Sequence, residues 1–170
     1  RSELENNPPR SNRASIFARV QAEYAILAAK SGKIDAYRQA RRTAASLIER
    51  QDAMAEIVLL FAEADAYAGE FALAERNLIK KAMMWYGSPD RPRSTLVIQL
   101  AKAGRIDDAE EQYSRLSQPF WKASAMEAIA GAKVANPATS SEDLLTWIDR
   151  LNEPIDRVGA YCGLASQSGQ

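Results

Sequence analysis

The chain contains no histidine and a single cysteine, Cys162. A disulfide within one chain is therefore impossible, and zinc sites built on His and Cys clusters are excluded. General-base catalysis by imidazole is excluded with them. Breakers are scarce too, with 8 Gly and 7 Pro in 170 residues. There is no surplus of either charge: 22 basic residues balance 22 acidic ones. A dedicated nucleic-acid binder usually carries a basic excess, so no nucleic-acid partner is expected. The run Ile57 to Ala62 is far too short to cross a bilayer, and no secretory leader is visible. The expectation is a soluble chain, with the cytoplasm the preferred compartment.

What is present is alanine and helical periodicity. Hydrophobic residues make up 46% of the chain, enough for a real core at this length. Abundant alanine with few breakers points to an all-α protein. The clearest stretch is Leu96 to Leu116. Leu96, Val97, Leu100 and Ala101 form one apolar stripe, and Ile106, Ala109, Tyr113 and Leu116 form a second. Gly104 lies between them. Glycine reaches positive φ without steric cost, so a helix, a tight reversal and a second helix are predicted.

Residues 1–12 are polar, proline-bearing and aperiodic, and read as a disordered lead or linker, with Ser11 and Asn12 placed to cap the first helix. The folded domain is expected over 13–170. Helix one is predicted over 13–31, with Phe17, Val20, Tyr24 and Leu27 as its stripe. Helix two follows over 34–50, with Ile34, Tyr37, Ala44 and Ile48 inward and Arg38, Arg41 and Arg42 as an outer basic patch. Helix three, over 52–68, carries Met54, Val58 and Phe61 and is apolar nearly all round, so it should be central. Helix four, over 71–86, presents Phe71, Ala74, Leu78, Ala82 and Trp85 and ends in the soft cluster Met83 to Tyr86. A longer turn spans Ser88 to Pro92. Beyond the hairpin, helices are predicted over 119–135, 141–151 and 154–167, with Ser140 and Asp143 arranged as a capping box.

The chain also repeats itself. Arg115-Leu116-Ser117-Gln118-Pro119 returns as Arg150-Leu151-Asn152-Glu153-Pro154. Apolar–alanine pairs and the turn glycines Gly32, Gly69 and Gly104 recur about every 34 residues, the mark of a helical solenoid. On these residues the chain resembles the tetratricopeptide-repeat family. Ala62, Gly69, Phe71 and Ala74 fit its pattern. Val97, Gly104, Ile106 and Ala109 follow it, as do Ala25, Gly32 and Ile34, with Tyr37 in place of the last alanine. The family's early tryptophan is replaced by Gln21, Val58 and Arg93. The segment Ala101 to Tyr113 is also similar to pentatricopeptide repeats, which bind RNA.

The resemblance implies a right-handed α-solenoid of about four and a half helix-turn-helix repeats, whose concave groove binds a partner protein or peptide; the start at Arg1 rather than Met and the stop at Ser168-Gly169-Gln170 lead us to expect a fragment of a longer protein. Its inward register falls on Arg19, Ile26 and Lys30, on Leu59, Glu63 and Tyr67, and on Arg91, Ile98 and Lys102. Lys30, Tyr67 and Lys102 each precede a turn glycine by two residues and are suited to an acidic or C-terminal segment. No asparagine falls in this register, which argues against the carboxylate-clamp subset. No cofactor is implied. No nucleophile, base and orienting group are legible together, so no catalytic activity is expected. The alternatives are a structural arm of a larger enzyme or assembly and, behind it, RNA binding.

Overall fold

A computed structural model describes residues 10–48, 51–82 and 88–168, with side chains described over 13–48, 55–79 and 88–167. The described residues form nine α-helices and no strand. These are α1 (Arg10–Lys30), α2 (Ile34–Leu47), α3 (Gln51–Tyr67), α4 (Phe71–Ala82), α5 (Asp90–Lys102), α6 (Ile106–Tyr113), α7 (Pro119–Ala135), α8 (Ser141–Asp149) and α9 (Pro154–Ser168). Sequence-adjacent helices pack as α1·α2, α3·α4 and α5·α6, and the odd-numbered helices touch in succession from α1 to α9.

The local signals in the sequence account for the turns. Gly32, Gly69 and Gly104 have φ of 69°, 76° and 75°. Each closes its helix the same way. The glycine N–H donates to the carbonyl three residues back, and the next N–H donates to the carbonyl five residues back. At the first turn these are Gly32 to Ala29 at 3.0 Å and Lys33 to Ala28 at 2.9 Å. Pro119 and Pro154 open α7 and α9, where the missing N–H costs nothing. The Ser140–Asp143 capping box has both arms: Asp143 N–H donates to Ser140 Oγ at 3.1 Å, and Ser140 N–H to Asp143 Oδ2 at 3.3 Å. Those hydrogen bonds hold the Asp143 carboxyl below its ordinary pKa, that from the Ser140 side chain most.

The hairpin over 96–116 packs as its periodicity requires. Leu96, Val97, Leu100, Ala101, Ala109, Tyr113 and Leu116 are all buried, in one core cluster that runs from Ala62 of α3 to Ala160 of α9. Two smaller clusters join α1 and α2 to α3. α3 is central: Ile57, Val58, Phe61, Ala62, Ala64 and Ala66 are buried, and it touches α1, α4 and α5.

Four expectations change. α1 begins at Arg10, so Ser11 and Asn12 lie inside it rather than at its cap. Its large stripe faces out: Phe17, Val20, Tyr24 and Leu27 are each half exposed or more. The buried face is the opposite one, Ala18, Ala22, Ala25, Ile26 and Ala29, because small side chains let α3 approach closely. α5 starts at Asp90, which puts Pro92 in its first turn, and α8 stops at Asp149. The expectations for residues 1–9, for the side chains of Met54 and Ala82, and for Met83 to Tyr86 lie outside the described residues.

Candidate functional site

The register positions predicted to line a groove sit on the odd-numbered helices, and most are engaged with one another. Arg19 Nε donates to Glu23 at 3.1 Å and its Nη1 lies 3.0 Å from Glu56 of α3. The Lys30 ammonium stands 4.6 Å over the Tyr67 ring. Arg91 Nη2 of α5 donates to Glu63 Oε1 of α3 at 3.0 Å, and Glu63 is itself buried. Ile26 is buried, and Leu59 and Ile98 are partly so. These residues therefore tie adjacent helices together. The exposed Arg19–Glu56 pair contributes only about 0.2–1 kcal/mol. Glu56 was missed in the sequence, although it precedes Gly69 by the same thirteen residues that separate Arg19 from Gly32.

Lys102 is different. It borders a trough of about 670 Å³ between the C-terminal end of α5, the start of α6, α7 and the end of α9. The trough has small walls: Ala101, Ala128, Gly131, Ala132 and Ala135 line it and leave room that larger side chains would fill. Its rim is polar. Lys102 and Glu127 lie on different helices, and neither forms an ion pair with another described residue. Asn136 Oδ1 accepts from Ala138 N–H at 3.0 Å, which leaves the Asn136 amide N–H groups to donate outward. Gln167 and Ser166 complete the rim from α9. A second hollow shares Gly104, Ile106 and Asn136 and adds Asp107, Lys133 and Thr139, so the polar surface continues past the end of the trough.

Away from this face, the basic patch on α2 is only partly solvated. Arg38 and Arg42 are exposed, and Arg38 reaches Glu70 at 3.4 Å. Arg41 instead turns inward onto Asp65, which is fully buried. Asp65 Oδ1 accepts from Arg41 Nε at 2.6 Å and from Tyr37 Oη at 2.6 Å. Asp65 Oδ2 accepts from Arg41 Nη2 at 3.0 Å and from Asn77 Nδ2 at 2.8 Å. The acid took this site because four donors from α2 and α4 converge on it, which compensates its loss of water. Tyr113 of α6 donates to the buried Asp156 of α9 in the same manner. Burial, then the neighbouring carboxylate, pushes both tyrosine hydroxyls well above their ordinary pKa. Each holds its proton more tightly, the opposite of what a nucleophile or general base needs. Asp90 plays a similar structural part, with Oδ2 accepting from Ser117 N and Oγ and from Gln118 N at 2.7–3.2 Å.

The chain matches no family model, and neither a curated protein nor a solved structure matches it significantly. Among the described residues, no group of three or more metal-ligating side chains converges, and no helix is long and apolar enough to cross a membrane. The trough is a concave feature with room for a ligand, and Lys102 and Glu127 on its rim form no ion pair with another described residue.

Proposed function

We propose that this chain is a non-catalytic interaction module, a tetratricopeptide-like solenoid that holds an extended segment of a partner protein in the trough between α5, α7 and α9. The observation that carries the reading is that trough: a small-residue floor between α5, α7 and α9, with Lys102 and Glu127 on its rim, neither of them in an ion pair among the described residues. An extended peptide has the matching chemistry. Its backbone offers carbonyls to Asn136 and Gln167, and an acidic side chain or terminal carboxylate fits Lys102. A lysine, arginine or amide of the same segment fits Glu127. A charge-assisted hydrogen bond of this type is worth about 1.5–3 kcal/mol, so one such contact decides whether a segment is retained. The Lys30–Tyr67 and Glu63–Arg91 ties support this reading by fixing the helices that precede the trough.

Peptides selected from a displayed random library on the wild-type chain test it. Lys102→Glu should weaken the selected peptides about tenfold or more, the equivalent of one charge-assisted contact. Ala128→Trp, which fills the floor, should abolish binding while leaving helicity intact. Tyr67→Ala, further along the same face, should weaken longer peptides only. Undiminished binding to the Ala128→Trp protein would place the ligand elsewhere and end the proposal.

A further inference from the structure

The two ends of the helix stack carry apolar faces that look like the two halves of one junction. At the first end, α1 exposes Ile16, Phe17, Val20, Tyr24 and Leu27, with Leu27 62% exposed. Val20, Tyr24 and Leu27 precede Gly32 by 12, 8 and 5 residues. In α3 the residues at those same distances before Gly69 are Ile57, Phe61 and Ala64. All three are buried, packed with α1 and α2. The exposed stripe of α1 thus occupies the position that an α-helical neighbour covers one pair later.

The last end is the complement. α7 meets α9 through Ala123, Met126 and Ala130, whose atoms lie against Gly159 and Gly163. Thirty-five residues on, the offset of the repeated Arg-Leu-x-x-Pro segment, stand Val158, Tyr161 and Ala165 of α9. They are exposed, Tyr161 by 50%. This face is the kind that a following first helix covers. The charges agree. With Arg19, Arg38 and Arg41 paired to acids of α3 and the following turn, residues 13–48 still present Arg13, Lys30, Lys33 and Arg42 against Glu23 and Asp35, and with Asp156 buried, 141–168 present Glu142, Asp143, Asp149 and Glu153 against Arg150 and Arg157.

We propose that the chain associates head to tail with a second copy of itself, the α1 face of one copy seated on the outer face of α9 of the next. Each half of the contact reproduces a register already used inside the chain, and the basic end meets the acidic end. A head-to-tail contact uses two different surfaces and leaves a free face at each end, so it builds open chains rather than closed dimers. Opposite net charges at the two ends make the association weaker at high salt.

Sedimentation velocity over a concentration series tests this with two variants, Leu27→Glu and Tyr161→Glu. Both positions are solvent-exposed, so circular dichroism and melting should match wild type; Val20→Asp is a second probe of the first face. Wild type should grow in mass with concentration, by twofold and beyond, as expected for an open assembly. Each variant alone should stay monomeric, because each has lost one half of the contact. Mixed in equal amounts they should form a one-to-one dimer, since each retains the half the other lacks. A wild type that is monomeric at every concentration overturns the proposal. So does a Tyr161→Glu protein that still self-associates, which would indicate a twofold α1–α1 contact, or a mixture that fails to pair.

Discussion

The contact between α7 and α9 offers two glycines with opposite expected responses to the same substitution. A Cβ on Gly163 would lie 2.4 Å from the Glu127 carbonyl oxygen, 2.8 Å from Ala130 Cβ and 3.1 Å from Gly131 N. Two of these neighbours are backbone atoms and cannot rotate away. Gly159, four residues earlier, is in the same position, 2.7 Å from the Ala123 carbonyl oxygen. Gly163→Ala must push α9 outward by the best part of an ångström. A gap of 0.5–1 Å forfeits a quarter to a half of each dispersion contact it opens, and overpacking of this kind costs about 1–3 kcal/mol. The gain from replacing glycine by alanine in a helix, about 1 kcal/mol, offsets part of it. The net expectation is a loss of up to about 2 kcal/mol. Gly131, on the facing helix, has as its nearest neighbour only the Gln167 side chain at 3.5 Å, an ordinary contact. Gly131→Ala should therefore be neutral or stabilise by up to about 1 kcal/mol. Urea unfolding of the two variants beside wild type measures both. Equal shifts, or a stabilised Gly163→Ala protein, would refute the close-approach reasoning.

Asp65→Ala should destabilise the chain by about 3–5 kcal/mol, since it strands Arg41, Tyr37 and Asn77 together; Tyr37→Phe, which removes one donor, should cost about 1 kcal/mol in the same denaturation assay. Alkali should weaken the fold through Tyr37 and Tyr113. Both have folded-state pKa values raised above the unfolded one, so the folded state binds more protons between the two values. Their stabilisation is complete below about pH 10, the unfolded tyrosine pKa, and is lost as pH rises toward the folded values. Melting temperatures from pH 8 to 11 should fall less steeply in the Tyr37→Phe/Tyr113→Phe double variant than in wild type, and parallel slopes would contradict this.

Local signals were readable in the sequence, and non-local ones were not. The limits of α7, the capping box at Ser140 and the reversals at Gly32, Gly69 and Gly104 depend on neighbours within a few residues, and each was legible. α1 was misread because it has two stripes at helical spacing. The larger residues, Phe17 to Leu27, attract attention, but the alanines opposite permit the close contact with α3. Arg41 read as a solvated cation because Asp65, its partner, is 24 residues away and lies in an apolar run. The trough was illegible for another reason. It is made by the smallness of alanines and a glycine on separate helices, and only Lys102 on its rim stood out.

The carboxylate of Asp65 has a consequence for how such a chain can change over generations. Repeat arrays are usually modular, lengthened or shortened by whole units, because each unit contacts only its neighbours through similar surfaces. Here one acid in α3 is shared by donors from α2 and α4, and the Tyr113–Asp156 bond joins α6 to α9. Deleting or duplicating a helix pair in this region would orphan a buried charge or a buried hydroxyl. At these joints the helices cannot be exchanged one for another without stranding a buried polar group.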